Sequence, residues 1–128
     1  SEEDFQATHR IIEQTQLDSA YIFKYSERKH TIAARKYADD VPDRVKGMRV
    51  AQLLETQRRI TLERNRRYIG KAMQVLVERD ATRSSTQAMG KTDGNITVVW
   101  EKGTGDFQPG TLITKQIFDA SAATLYGE

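Results

Sequence analysis

The chain has 128 residues, of which 38% are hydrophobic and 30% charged, a composition that fits a folded domain and excludes disorder throughout. It has no cysteine, which excludes disulfides, thiolate metal sites and iron–sulfur ligation by these residues, and two widely separated histidines make a poor metal set. Apolar runs such as Thr97–Trp100 are too short to span a bilayer, the acidic opening Ser1-Glu2-Glu3-Asp4 does not resemble a signal peptide, and a cytoplasmic location is expected.

Net charge is only +2, but its distribution is uneven. Residues 1–42 hold six Lys/Arg against eight Asp/Glu, residues 43–83 eleven against five, and residues 84–128 three against five. A middle stretch at +6 between flanks at −2 has the charge to attract a polyanion, although a solvated helix face gives the same pattern.

In chain order, Ser1 to Asp4 fit a capped helix start, and Phe5, Thr8, Ile12 and Thr15 continue along one helical face. Ala20–Lys24 then read as a buried strand, followed by a polar loop in the stretch "AYIFKYSERKHTIAA". A strand that delivers Tyr25, Ser26, Arg28 and Thr31 to its C-terminal end is the usual geometry of a ligand mouth in an α/β fold. One helix and one strand cannot stand alone, so residues 1–42 are expected to be the edge of a larger α/β domain. Pro42, flanked by Asp39, Asp40 and Asp43, suits a helix start. Val50, Leu53, Leu54, Gln57, Ile60 and Thr61 share one side of a long connecting helix over 43–68, with Arg58, Arg59, Arg66 and Arg67 beside or beyond that stripe.

After Gly70 the period becomes extended. "KAMQVLVER", "STQAMGKT", "NITVVW", "TLITKQIFDA" and "ATLYGE" read as five strands, with Asp93-Gly94 as the hairpin signal and "GTGDFQPG" as a loop. Five short strands over 69–128 predict a small closed antiparallel barrel of the OB-like kind, and the chain as a whole is read as α+β.

These residues resemble the C-terminal part of a MiaB-type tRNA methylthiotransferase, a radical-SAM enzyme whose catalytic barrel is followed by a TRAM domain. Glu2-Glu3-Asp4-Phe5 match the family's acidic helix start. Phe23, Tyr25, Ser26, Arg28, Thr31 and Ala33 match "F-x-Y-S-x-R-x-G-T-x-A", and Asp40-Val41-Pro42 match "D-x-V-P". Gly70, Lys71, Val75 to Glu78, Gly90, Thr92, Asn95 and Ala123 to Glu128 match the TRAM part. His30 departs from the pattern, standing where the family has Gly, and Lys91 replaces Arg in "G-R-T". "KTDGNITVVW" lacks the Asp-Ala-Pro-Glu-like run of the sister family that modifies a ribosomal protein, which favours the tRNA branch.

The resemblance implies a parent enzyme with two 4Fe-4S clusters and S-adenosylmethionine, which methylthiolates isopentenyladenosine next to the anticodon. With no cysteine, this chain is expected to bind neither cluster and to show no turnover alone. Tyr25, Ser26, Arg28 and Thr31 are the candidates for the cofactor or substrate mouth, or else they fix the loop through hydrogen bonds to its backbone. Arg66, Arg67, Lys71, Arg83, Ser84, Lys91, Thr92 and Asn95 are the candidates for RNA contact, or else they are solvated charges and turn residues. Trp100 reads as core or loop packing; Tyr68 and Phe107 remain open. Expected partners are the anticodon stem-loop, the remaining domains of the same protein, and a second copy through the unpaired barrel edge. A scaffold module that packs on the parent barrel is the alternative function.

Overall fold

A computed structural model of the chain describes residues 1–81, 84–103 and 108–128. It divides into two compact units, Ser1–Ile60 and Thr61–Glu128.

The first unit is helical. Helix α1 (Glu2–Thr15) starts with the expected capping box: the Ser1 hydroxyl accepts from the Asp4 amide, and the Asp4 side chain reaches back to Ser1. A short helix α2 (Ile32–Lys36), not expected from the sequence, is capped by Thr31, whose hydroxyl accepts from the Ala34 amide at 3.1 Å. Helix α3 (Asp43–Arg66) begins just after Pro42, whose carbonyl accepts from the Lys46 amide.

Helices α1 and α3 run parallel, because their cross-contacts advance together. Glu2 meets Arg49, His9 meets Thr56, and Glu13 meets Arg59. The buried residues repeat at a seven-residue spacing on both helices, Phe5 and Ile12 against Leu53 and Ile60, with Ile22 packed beside them. Thr56 and Gln57 complete the buried arc of α3, while Leu54, placed on that side by the sequence pattern, is exposed. The arc turns because His9 Nε2 bonds Thr56 Oγ1 at 2.8 Å and Gln57 Nε2 donates to the Leu17 carbonyl at 2.8 Å.

The expected buried strand at Ala20–Lys24 is not formed. These residues join no ladder; Tyr21 is 89% and Phe23 80% exposed, their rings stacked 6.5 Å apart. The alternation that suggested a strand persists, since Ile22 turns inward. What fails is pairing, because no strand among the described residues lies beside it to accept its hydrogen bonds.

The second unit holds the last turn of α3 and five strands where the sequence placed them: β1 (Ala72–Asp80), β2 (Gln87–Lys91), β3 (Thr97–Glu101), β4 (Leu112–Ala120) and β5 (Thr124–Gly127). They close into a barrel in the order β1-β2-β3-β5-β4. The expectation of an all-antiparallel barrel needs one correction: β3 and β5 pair in parallel. Parity requires it, since neighbours in a closed ring cannot all alternate direction when their number is odd. β1 pairs with β4 through its first half and with β2 through its second, and the register shift between Val77 and Arg79 bends the strand where it changes partner.

Alternate residues of every strand face the interior, where Val75, Val77, Ala88, Val98, Trp100, Ile117 and Leu125 form one core. Trp100 is thus core, as expected. Asn65, 3% exposed, donates to the Ser121 carbonyl at 2.8 Å and ties the end of α3 to the β4–β5 turn. Among the described residues no helix is long and apolar enough to cross a membrane.

Candidate nucleic-acid interface

The glycines and polar residues of the barrel motifs first answer to backbone geometry. Gly70 follows the end of α3 with φ 83° and closes a turn in which the Lys71 amide donates to the Tyr68 carbonyl at 2.9 Å; only glycine holds that φ without steric cost. Gly90 lies where β2 crosses β1 so closely that a Cβ would sit 2.2 Å from the Leu76 carbonyl oxygen. Thr92, 5% exposed, closes the β2–β3 hairpin: its amide donates to the Ile96 carbonyl, and its hydroxyl accepts from the Ile96 amide at 3.2 Å. Asn95 supplies the left-handed residue of this hairpin at φ 60°, so the loop is the three-residue kind, and the hairpin forms at the expected Asp93-Gly94.

Around this frame the cationic candidates fall into two groups. Arg66 and Arg67 are exposed where α3 ends, and their charge complements the negative helix terminus. Lys71 is exposed four residues further on, its ammonium 5.7 Å from the Tyr68 ring centroid. Lys91 is half-buried at the other group, where its Nζ donates to Thr97 Oγ1 at 2.8 Å beside Thr92 and Asn95. Lys91 pairs with Leu76, about 16 Å of strand from Lys71, so these cations suit an extended polyanion rather than a single phosphate. Ser84 bonds Thr86 Oγ1 at 2.8 Å in the β1–β2 connection. Arg83 and Phe107 lie outside the described residues.

The mouth candidates belong to the helical unit. Tyr25 lines a cleft of about 400 Å³ together with Tyr37, Asp39, Lys46 and Arg49, and the Lys46 ammonium, paired with Asp39, stands 5.5 Å from its ring centroid. Thr31 caps α2 and also donates to the Arg28 carbonyl at 2.9 Å. Ser26 and Arg28 are exposed on the turn before it and do not line the cleft. His30 takes φ 69° in that turn, a conformation for which glycine is the default.

The donor set does not fit the iron–sulfur clusters that the resemblance implies. There is no cysteine, and among the described residues no three His, Asp or Glu side chains converge on one point.

The chain thus combines a helical unit with a small OB-like barrel that presents spaced cations. No family model matches the chain. Over all 128 residues it is 45% identical to a tRNA-2-methylthio-N(6)-dimethylallyladenosine synthase of Porphyromonas gingivalis strain W83, and it covers 27% of that protein. Synthases of the same name from Chlorobium chlorochromatii and Bacteroides thetaiotaomicron are 41% and 40% identical over the full chain, each covered to 28%. The chain therefore matches the C-terminal part of MiaB-type tRNA methylthiotransferases, and it spans little more than a quarter of their length.

Proposed function

We propose that this chain is the RNA-gripping C-terminal region of a radical-SAM methylthiotransferase that converts isopentenyladenosine next to the anticodon into its 2-methylthio derivative. The observation that carries this reading is the match over the whole chain, at 40–45% identity, to synthases named for that product. The OB-like barrel supports it, because barrels of this kind commonly bind oligonucleotides. In this reading residues 1–42 form the edge of the catalytic barrel, 43–68 the connecting helix and 69–128 a TRAM domain. Arg66, Arg67, Lys71, Arg83 and Lys91 neutralise phosphates, with Ser84, Thr92 and Asn95 adding polar contacts or fixing the turns. Tyr25, Ser26, Arg28 and Thr31 stand at the substrate mouth. The unpaired, exposed stretch at Tyr21–Phe23 supports a partner strand in the rest of the parent protein. The radical and sulfur chemistry belongs to clusters that other residues must hold, so the chain alone has no turnover.

The test is the affinity of the chain for an anticodon stem-loop, measured as salt is raised. Phosphate neutralisation predicts a linear fall of log affinity with log salt, and triple charge reversal at Arg66, Arg67 and Lys91 should weaken binding whatever the loop sequence and flatten that slope. Affinity indifferent to salt, or no binding, overturns the reading and leaves the scaffold role.

A further inference from the structure

On the outside of the barrel, β2, β3 and β5 lie side by side, and their register arranges outward side chains in rows. Met89 is opposite Val99, and Val99 is opposite Tyr126. One step along, Lys91 is opposite Thr97, and Thr97 is opposite Thr124; one step the other way, Gln87 is opposite Glu101. The residues between them, Ala88, Gly90, Val98, Trp100 and Leu125, are buried, so these rows face outward. Of these, Gln87, Met89, Thr97, Val99, Thr124 and Tyr126 floor a cleft of about 350 Å³ whose rim includes Ala81 and the β4–β5 turn residues Ser121 and Ala123; Lys91 and Glu101 stand beside the lining residues Thr97 and Gln87.

The cleft is polarised. Its middle row is apolar from Met89 to the ring of Tyr126, and is flanked by the exposed Arg79 opposite Met89 and the exposed Asp119 opposite Tyr126. About 7 Å along the strands on one side lies the Lys91 ammonium, held on Thr97 Oγ1 at 2.8 Å. About 7 Å on the other side lies the Glu101 carboxylate, which accepts from Gln87 Nε2 at 2.6 Å. An apolar floor with an aromatic residue suits a planar ring, and cations gathered on the β1–β2 side, Lys91 and the exposed Arg79, suit a ring that carries an anion at that end. A nucleotide has that form, whereas an apolar side chain of a protein partner would leave the ammonium unused. Bases inside a duplex present no free face, so the fitting ligand is an unpaired one.

We propose that this cleft seats one unpaired nucleotide, its base on the Met89–Val99–Tyr126 row and its phosphate turned toward Lys91 and away from Glu101. This rests on the RNA-binding reading above and adds to it a stacking site that none of the cationic candidates supplies.

The experiment compares the 128-residue chain with Tyr126→Ala, Tyr126→Phe and Val99→Glu variants. The RNA probes are an anticodon stem-loop, a fully paired duplex of the same stem, and stem-loops with a single abasic site at each loop position in turn. Tyr126→Ala should weaken stem-loop binding about tenfold or more with the salt slope unchanged, and Tyr126→Phe should restore it. Val99→Glu should lose at least as much, and the duplex should bind all variants alike. One abasic position should weaken the wild type but have no further effect on Tyr126→Ala, which identifies the seated base. Circular dichroism of each variant establishes that the barrel is folded; Tyr126 and Val99 lie outside the core, so it should be. Salt-dependent stem-loop binding that is indifferent to both Tyr126→Ala and Val99→Glu overturns this inference and leaves the function standing. Self-association of the wild type that Tyr126→Ala abolishes without changing RNA affinity also overturns it, by assigning the cleft to a second copy. Failure of the wild type to bind any RNA overturns both.

Discussion

Gly90 and Gly94 are four residues apart in one hairpin and have opposite tolerances. A methyl group on Gly90 would meet the Leu76 carbonyl oxygen at 2.2 Å and Val75 Cγ1 at 2.7 Å, two positions fixed by the strand pair and the core. On Gly94 it would meet only the Thr92 hydroxyl, at 3.8 Å. Gly90→Ala is therefore expected to cost about 3 kcal/mol or more, by forcing β1 and β2 apart, and Gly94→Ala to be nearly neutral. Chemical denaturation followed through Trp100, the chain's single tryptophan and 2% exposed, measures both; equal effects would contradict the close crossing. His30 stands where the family pattern has Gly. It occupies a glycine conformation at φ 69°, which β-branched side chains resist more strongly than His does.

At the scale of elements, the strands were legible because period-two alternation survives into the barrel, with Val75/Val77, Val98/Trp100 and Leu125 all inward. The capping box of α1 was legible because it is local chemistry between Ser1 and Asp4. Helix α2 was not: five residues carry no periodic signal, and its start is set by one Thr31 cap. The segment at Ala20–Lys24 misled for the opposite reason. Its sequence specifies a strand, but a strand needs a neighbour, and propensity cannot report whether one is present. The candidate site divides similarly. Exposed cations could be named from charge, whereas the Met89–Val99–Tyr126 row depends on a register joining three strands, two of them parallel, that no local pattern encodes.

The helical pair also carries its own pH response. Hydrogen bonds from Gln6 and Arg49 hold the Glu2 carboxyl below its ordinary pKa; the Ser1 hydroxyl does the same for Asp4, and Lys24 for Asp43. Carboxyls depressed on folding contribute stability that is present above the ordinary carboxylate range, about pH 4, and is lost as pH falls through the lowered values. Helical ellipticity should therefore decline in acid below that range. Replacing Glu2 and Asp43 by their amides should make the decline shallower and lower the stability at neutral pH. An acid titration identical to wild type would remove these pairs from the account.

For the molecule as a whole, charge and topology act over different ranges. In the proposed function, the excess of eleven cations over five anions in residues 43–83 would attract a polyanion from beyond contact distance, while the outer sheet face would work only at contact. Topology sets when that face exists. β5 lies between β3 and β4 and is the last strand to be made, so until residues 124–127 have left the ribosome the other four can form only an open sheet with raw edges at both ends. The platform also lacks its tyrosine until then. β5 is thus a latch: a protein truncated after residue 120 should have a red-shifted Trp100 emission and tend to aggregate, and a synthetic peptide of residues 121–128 supplied in trans should click the ring shut and bring the emission back to the blue. On the proposed RNA-gripping function, synthesis would then couple completion of the binding face to closure of the ring.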